Sequence, residues 1–256
     1  MHIPTLLDGV EEGKLCLLVK SLYSLREAPL IWYNLLSKLL KTIGLNPMDS
    51  APCVFRKKQV IVLIYVDDLL IITETEDILV QVKSQLLGTL PSKDLGLATD
   101  FLGIKLVHGK GYVQLVQSKY TEGLVRDVRL SDSVSSQVPC DPSVDLSIRS
   151  EEAAENDFQY RSIIGSLMYL ATHTRPDISV ATSMLARHVE SPSMKHQRAA
   201  MKVLKYLKGK PSLGLTLRPG TSNQLSCYVD SNWGGEKGTG RRSRSGIVLL
   251  YGNAAI

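Results

Sequence analysis

Hydrophobic and polar positions change period several times along the chain, and each change marks an element. Ile31, Leu35, Leu36, Leu39, Leu40 and Ile43 recur at helical spacing. Pro29 suits the first turn of that helix and Gly44 its end. Residues 14–23, just before it, are apolar and predict extended chain. The period then shortens. Residues 60–65 and 69–73 are short runs of β-branched and large apolar side chains flanking Val66, Asp67 and Asp68. They predict a buried hairpin with carboxylates at its tip. Thr75 is placed to cap a helix over 76–88, whose first turn carries Glu76 and Asp77 where the helix dipole favours them. A second hairpin is expected over 101–107 and 112–116, turning through His108, Gly109, Lys110 and Gly111. Ser118 then caps a short helix over 119–129.

Periodicity lapses over 131–157, which is rich in Ser, Asp, Glu and Pro and reads as a linker or long loop. Helices follow at 158–172, 177–190 and 193–209. Ser193 caps the last, and Gly209 and Pro211 end it. Lys195, Arg198, Lys202, Lys205 and Lys208 fall within one arc of this helix, opposite Ala200, Met201, Leu204 and Leu207. Strands are expected at 213–218, 224–230 and 247–251, with a Gly/Arg-rich turn over 234–246. The element order predicts an α+β fold.

Composition narrows the class. With 256 residues, 44% apolar and 21% charged, the chain is an ordinary soluble globular protein. A disordered tail, a collagen-like repeat and a disulfide-stapled miniprotein are excluded. The net charge of +5 is unevenly spread. Residues 191–256 hold eleven Lys and Arg against Asp230 and Glu236 alone, which leaves the first 190 residues net acidic. Such a basic quarter suits a polyanionic partner, and charge alone is equally compatible with a solvated helix face and a basic loop. Cys16, Cys53, Cys140 and Cys227 form no CxxC pair and read as buried free thiols. No signal peptide is visible, and the apolar stretch at 60–72 is interrupted by Asp67 and Asp68 and too short to span a bilayer. An intracellular, cytoplasmic protein with no membrane partner is expected, the nucleus being the alternative.

The candidate chemistry lies in Tyr65-Val66-Asp67-Asp68. A two-residue hairpin turn normally wants Asn-Gly or Asp-Gly, and adjacent aspartates repel. A divalent cation would turn that repulsion into a binding site, because Mg²⁺ takes hard oxygen ligands. A solvated acidic loop tip is the other reading of the same spacing.

The YVDD hairpin resembles the catalytic hairpin of reverse transcriptases. The rest of the chain sharpens the resemblance to copia-type retrotransposon Pol polyproteins. SLYSLREAPLIWY (21–33) is similar to the family's LYGLKQAPRxWY segment. The similarity continues collinearly through SKDLG (92–96), DFLGIKL (100–106), QSKY (117–120), YRSIIGSLMYLATHTRPDIS (160–179) and KVLKYLKG (202–209). CYVDSNWGG (227–235) and the stretch 241–256 resemble the opening of an RNase H domain. The resemblance implies a reverse-transcriptase palm remnant over 1–95 and a primer-grip hairpin with thumb and connection helices over 96–218. A truncated RNase H-like α/β segment over 219–256 completes it. Asp67 and Asp68 would be the palm aspartates that hold catalytic Mg²⁺, with Mn²⁺ as a substitute, while Tyr65 and Val66 line the primer end. Phe101, Leu102 and Gly103 would form the primer grip, and Asp230 the first metal-binding carboxylate of RNase H. Lys195, Arg198, Lys202, Lys205 and Lys208 would follow the backbone of an RNA/DNA template-primer duplex. The implied partners also include a deoxynucleoside triphosphate and other Pol segments, and the implied location is a virus-like particle.

The pattern is incomplete. A third palm carboxylate is expected well upstream of residue 22, and Asp8, Glu11 and Glu12 sit in no convincing strand. RNase H needs several acids, and after Asp230 only Glu236 follows. The isolated chain is therefore expected to be inactive; a non-catalytic nucleic-acid-binding protein or a decayed transposon product is the alternative. Ser24 stands where the family has Gly, Glu27 where it has Gln, Leu30 and Ile31 where it has a more polar pair, and Asn232 where it has an acid. Trp32 and Tyr33 read as core packing rather than a base-stacking platform. His108, His188 and His196 read as surface or satisfied polar residues.

Overall fold

A computed structural model of the chain describes residues 21–22, 24–90, 92–146, 150, 152, 155, 158–219, 224–234, 243–252 and 254–256. The chain divides into two units, Met1–Leu97 and Ala98–Ile256. The expected extended run at 14–23 lies almost wholly outside the described residues, as do Asp8, Glu11 and Glu12.

In the first unit, α1 (Ala28–Thr42) has Pro29 in its opening turn. Its buried stripe is narrower than the apolar pattern predicts: Leu36 and Leu40 are buried, whereas Ile31 and Leu35 are about half exposed. Next comes an antiparallel sheet of β1 (Asn46–Met48), β2 (Ala51–Lys57), β3 (Val60–Tyr65) and β4 (Asp68–Thr73), paired in chain order. Helix α2 (Glu76–Thr89) follows, and Thr75 caps it by accepting the N–H of Ile78 at 3.5 Å. Leu36 and Leu40 of α1 and Val82 and Leu86 of α2 form one core with Phe55, Val60, Val62 and Ile64 of the sheet. Strand β3 alternates, with Val60, Val62 and Ile64 buried but Ile61 and Tyr65 exposed. The hairpin is thus covered on one face, not both: the helices pack on a single side of the sheet, and period 2 leaves the alternate side chains outside.

The second unit holds a sheet of β5 (Asp100–Phe101), β6 (Ile104–Gly109), β7 (Tyr112–Val116) and β8 (Leu215–Leu217). Between β7 and β8 the chain builds α3 (Ser118–Asp127), α4 (Tyr160–His173), α5 (Ser179–Ala186) and α6 (Met194–Gly209), with a 3-10 turn at Pro176–Ile178. Ile164, Leu167 and Leu170 of α4, Leu185 of α5 and Leu204 and Leu207 of α6 are almost fully buried in a shared core. Leu130 and Leu146 join that core. The segment expected as a linker is therefore irregular but docked: Leu146 enters the core and Cys140 packs against it. A separate antiparallel sheet pairs β11 (Ala254–Ala255), β10 (Arg244–Tyr251) and β9 (Leu225–Asn232). The fold is α+β, with small antiparallel sheets. Among the described residues no helix is long and apolar enough to cross a membrane.

The thiols correct an expectation. Cys53 and Cys227 are exposed and Cys140 is half-buried; Cys16 lies outside the described residues.

Candidate active site

Tyr65 pairs with Asp68 across β3 and β4, so the turn is Val66-Asp67 and Asp68 already belongs to the strand. Val66 has φ of 53°, and Asp67 is not among the positive-φ residues. That is the φ pattern of a type II′ turn, whose first central position normally belongs to Gly. A β-branched residue there is strained, and such strain persists only where surrounding contacts over-determine it. The contact is supplied by α1: the indole Nε1 of Trp32 donates to the carbonyl oxygen of Val66 at 2.6 Å. Trp32 lies one helical turn before Leu36, and its ring packs against the core. One residue on, the hydroxyl of Tyr33 donates to the Pro52 carbonyl at 3.0 Å, and its ring lies 6.5 Å from that of Phe55. The expected core packing of both aromatics is present. Sequence reasoning missed the polar end of Trp32; its one signal was an indole at position i−4 from the buried stripe.

The tip presents Tyr65, Val66, Asp67 and Asp68 to solvent. Two aspartates in sequence are hard oxygen donors of the kind Mg²⁺ takes, and one or two protein carboxylates are its usual share beside substrate phosphates. The residues therefore fit the protein's part of a nucleotide-bound cation. They do not make a self-sufficient cage: among the described residues no group of three or more His, Cys, Asp or Glu stands together. Upstream, Ser24 has φ of 74°, so the position occupied by Gly in the resembled segment does adopt a glycine-like backbone here.

The second unit carries the other site residues. Phe101 pairs with Ile104, leaving Leu102 (φ 53°) and Gly103 (φ 76°) as a two-residue turn with both angles positive. Leu106 and His108 bind the backbone leading into this hairpin, Leu106 through its N–H to Thr99 and His108 through Nε2 to Ala98 at 2.7 Å. A Cβ on Gly103 would meet the Tyr169 hydroxyl of α4 at 3.6 Å. Tyr169 itself packs edge-on against Tyr120, centroids 4.9 Å apart. Asp230 lies exposed on β9 opposite Gly246. It shares no hairpin with Asp67 and Asp68, which belong to the other unit. Asn232 accepts the Arg244 N–H at 2.5 Å through its side-chain oxygen. Arg241 and Arg242 lie outside the described residues.

The basic arc of α6 is engaged by the 131–157 segment. Lys202 reaches Asp141 at 3.3 Å, Arg198 reaches Glu152 at 3.7 Å, and Lys208 donates to the Ser133 carbonyl. Hydrogen bonds from two Ser143 groups, and then from Lys202, hold the Asp141 carboxyl below its ordinary range. Backbone bonds run alongside: Ser136 N–H to Lys205 O, Met194 N–H to Glu152 O, and Glu155 N–H to the Gln197 side chain. Lys195, Lys202, Lys205 and Lys208 are half-buried, and Arg198 alone of the five is exposed. At the head of the helix, buried His196 accepts the Ser193 N–H on Nδ1 at 3.0 Å and meets the Leu146 carbonyl through Nε2 at 3.0 Å. His196 is the satisfied polar residue expected, and His188 stacks on it with ring centroids 3.8 Å apart.

Comparison with known proteins places these features. Residues 4–142 match the family described as reverse transcriptase (RNA-dependent DNA polymerase). The chain is 34% identical, over 99% of its length, to the retrovirus-related Pol polyprotein from transposon RE1 of Arabidopsis thaliana, of which it covers 17%. It is 31% identical, over 94% of its length, to the corresponding polyprotein from transposon TNT 1-94 of Nicotiana tabacum, of which it covers 19%. An uncharacterized mitochondrial protein of Arabidopsis thaliana is 31% identical over 74% of the chain and 78% of its own length. No solved structure matches. The chain spans less than a fifth of the two Pol polyproteins. The hairpin with its paired aspartates lies inside the matched region, and the chain belongs to the reverse transcriptase family, among the copia-type retrotransposon Pol polyproteins.

Proposed function

We propose that this chain is the part of a retrotransposon RNA-directed DNA polymerase that carries two palm carboxylates, Asp67 and Asp68, and that on its own it binds template-primer without extending it. The observation that carries the reading is the strained Val66-Asp67 turn at the tip of β3–β4, which presents both aspartates to solvent within the family-matched region. When bound, Mg²⁺ supplies charge neutralisation for in-line nucleotidyl transfer. The chain's own residues do the rest: Asp67 and Asp68 offer oxygen donors, and Tyr65 and Val66 form the adjoining surface against which a primer end would rest. Phe101, Leu102 and Gly103 serve as a primer grip, and the α6 cations meet the duplex backbone. Residues 1–95 act as palm, 96–218 as primer-grip, thumb and connection, and 219–256 as the opening of an RNase H-like domain with Asp230 as its first carboxylate. Transfer of this kind depends on positioning and charge neutralisation, so the reading makes Asp67 and Asp68 indispensable to any incorporation.

The test mixes the purified 256-residue chain with an RNA/DNA template-primer, deoxynucleoside triphosphates and Mg²⁺. Salt-dependent duplex binding without incorporation is expected. Template-dependent incorporation that vanishes in Asp67→Asn would overturn the inactivity. Absence of duplex binding would overturn the nucleic-acid role and favour a decayed product.

A further inference from the structure

The two-residue turn at the aspartates leaves the carbonyls of Val66 and Asp67 outside the sheet ladder. Tyr65 and Asp68 are the last paired residues, so the peptide between Val66 and Asp67 can face either way across the turn. Flipping that peptide exchanges type II′, with φ positive at the first position only, for type I′, with φ positive at both. Each state aims the Asp67 side chain differently, since the flip changes Asp67's own φ. The Val66 oxygen is the atom that moves most in the exchange, and it is the atom that Trp32 holds at 2.6 Å. Trp32 in turn is fixed by its ring against the core and by the buried Leu36 and Leu40 one and two turns further along α1. The side chain of Val66 is 49% exposed and is not one of those packed on the helix–sheet core.

We infer that Trp32 is a positioning residue for the aspartate pair: its indole N–H locks the 66–67 peptide in the strained orientation and so sets the direction of Asp67. The inference rests on the proposed role of Asp67 and Asp68 as cation ligands. The Trp32 bond ties residues 21–33 to residues 65–68, so α1 acts on the aspartates through the backbone of their turn.

The experiment uses the full chain and three readouts. Trp32 and Trp233 are the two tryptophans, and Trp233 is 98% exposed, which gives an internal reference for indole N–H exchange by NMR. Trp32 should exchange at least about tenfold more slowly than Trp233. Trp32→Phe keeps an aromatic ring and removes the donor; it should speed amide exchange at Asp67 and weaken Mn²⁺ binding, followed by electron paramagnetic resonance, by about 2- to 10-fold. Adding Val66→Gly to Trp32→Phe should recover most of that loss, because Gly favours the first position of a type II′ turn unaided. A merely structural role for Trp32 predicts no such rescue. Equal exchange at the two indoles, or unchanged Asp67 exchange in Trp32→Phe, overturns the inference. So does a loss of Mn²⁺ affinity that Val66→Gly leaves unrepaired. Mn²⁺ binding that is indifferent to Asp67→Asn with Asp68→Asn would instead overturn the cation-ligand reading, and indole and Asp67 exchange would still decide the role of Trp32.

Discussion

Arg175 and Asp177 face each other through two parallel hydrogen bonds, Nε to Oδ1 at 3.0 Å and Nη2 to Oδ2 at 2.8 Å, with only Pro176 between them in sequence. The Arg175 side chain is 1% exposed. Its Nη1 donates to the Lys210 carbonyl at 2.9 Å, and the Tyr206 hydroxyl donates to Asp177 Oδ2 at 2.8 Å. The pair therefore joins the end of α4 to the end of α6. Removing the guanidinium would strand a carboxylate and an orphaned helix-terminal carbonyl. Arg175→Ala should destabilise the helical unit by about 3 kcal/mol, read from the shift in its urea transition, whereas a surface change such as Arg161→Ala should move it by no more than about 0.5 kcal/mol.

The same pair sets an acid dependence. Burial opposes the charge on Asp177, but hydrogen bonds from Arg175 and Tyr206 and the nearby guanidinium outweigh it and hold the carboxyl below its ordinary value. An unfolded Asp titrates near about 3.9. A depressed native value means that the unfolded chain takes up protons first as pH falls. The stabilisation is therefore complete above about pH 4 and is lost as pH drops through the native value. Asp94 and Asp141 are also lowered and act in the same window, so the useful quantity is a difference. The gap in unfolding free energy between wild type and Asp177→Asn should be constant from about pH 5 to 7 and shrink below about pH 4. A gap that stayed flat down to about pH 3 would show that the carboxylate charge contributes nothing.

Ser24 offers a test on the other unit. At φ of 74° it sits in the left-handed region, which costs a side chain about 1–2 kcal/mol. Glycine would remove that cost and add about 0.5–1 kcal/mol of unfolded-state entropy. Ser24→Gly should thus stabilise the first unit by up to about 1 kcal/mol, read from denaturant unfolding. A loss of stability would mean that the serine side chain makes an interaction worth more than the backbone strain.

Some of this architecture could be read from residue order and some could not. Helices α1, α2 and α6 were legible because apolar period, Pro29, Thr75 and Ser193 all mark the same boundaries. Strands β1 and β2 were not, because Pro47 and Pro52 argue against strands unless pairing spares their missing N–H groups. Here β1 is an edge strand, and β2 meets β3 only from Val54 onward. The β5–β6 turn at Leu102-Gly103 was hidden inside an apolar run, and the helix expected to reach residue 190 stops at Ala186. The paired aspartates were visible at once. The Trp32 bond that holds their turn spans 34 residues, and no local pattern reports an interaction of that range. Docking of the 131–157 segment was equally invisible, since backbone groups and isolated polar side chains do most of the joining.

That docking changes what the basic arc of α6 can do. Charge along the helix alone makes its five cations equivalent toward phosphate, but the structure makes them unequal. The Arg198 side chain is 74% exposed, and its partner Glu152 lies 3.7 Å away at 65% exposure, an ion pair that water and salt weaken. Lys202 is 33% exposed and held closer by Asp141, and Lys208 is committed to a backbone carbonyl. For duplex DNA, each phosphate that a protein cation neutralises contributes about 0.9 to the slope of log affinity against log salt. Arg198→Ala should therefore reduce the slope for a template-primer duplex by nearly that amount, and Lys202→Ala by much less. Asp141→Asn should work in the opposite direction, releasing Lys202 and steepening the slope. Equal effects of Arg198→Ala and Lys202→Ala, measured by fluorescence anisotropy from about 50 to 200 mM salt, would show that the 131–157 segment leaves α6 when duplex binds.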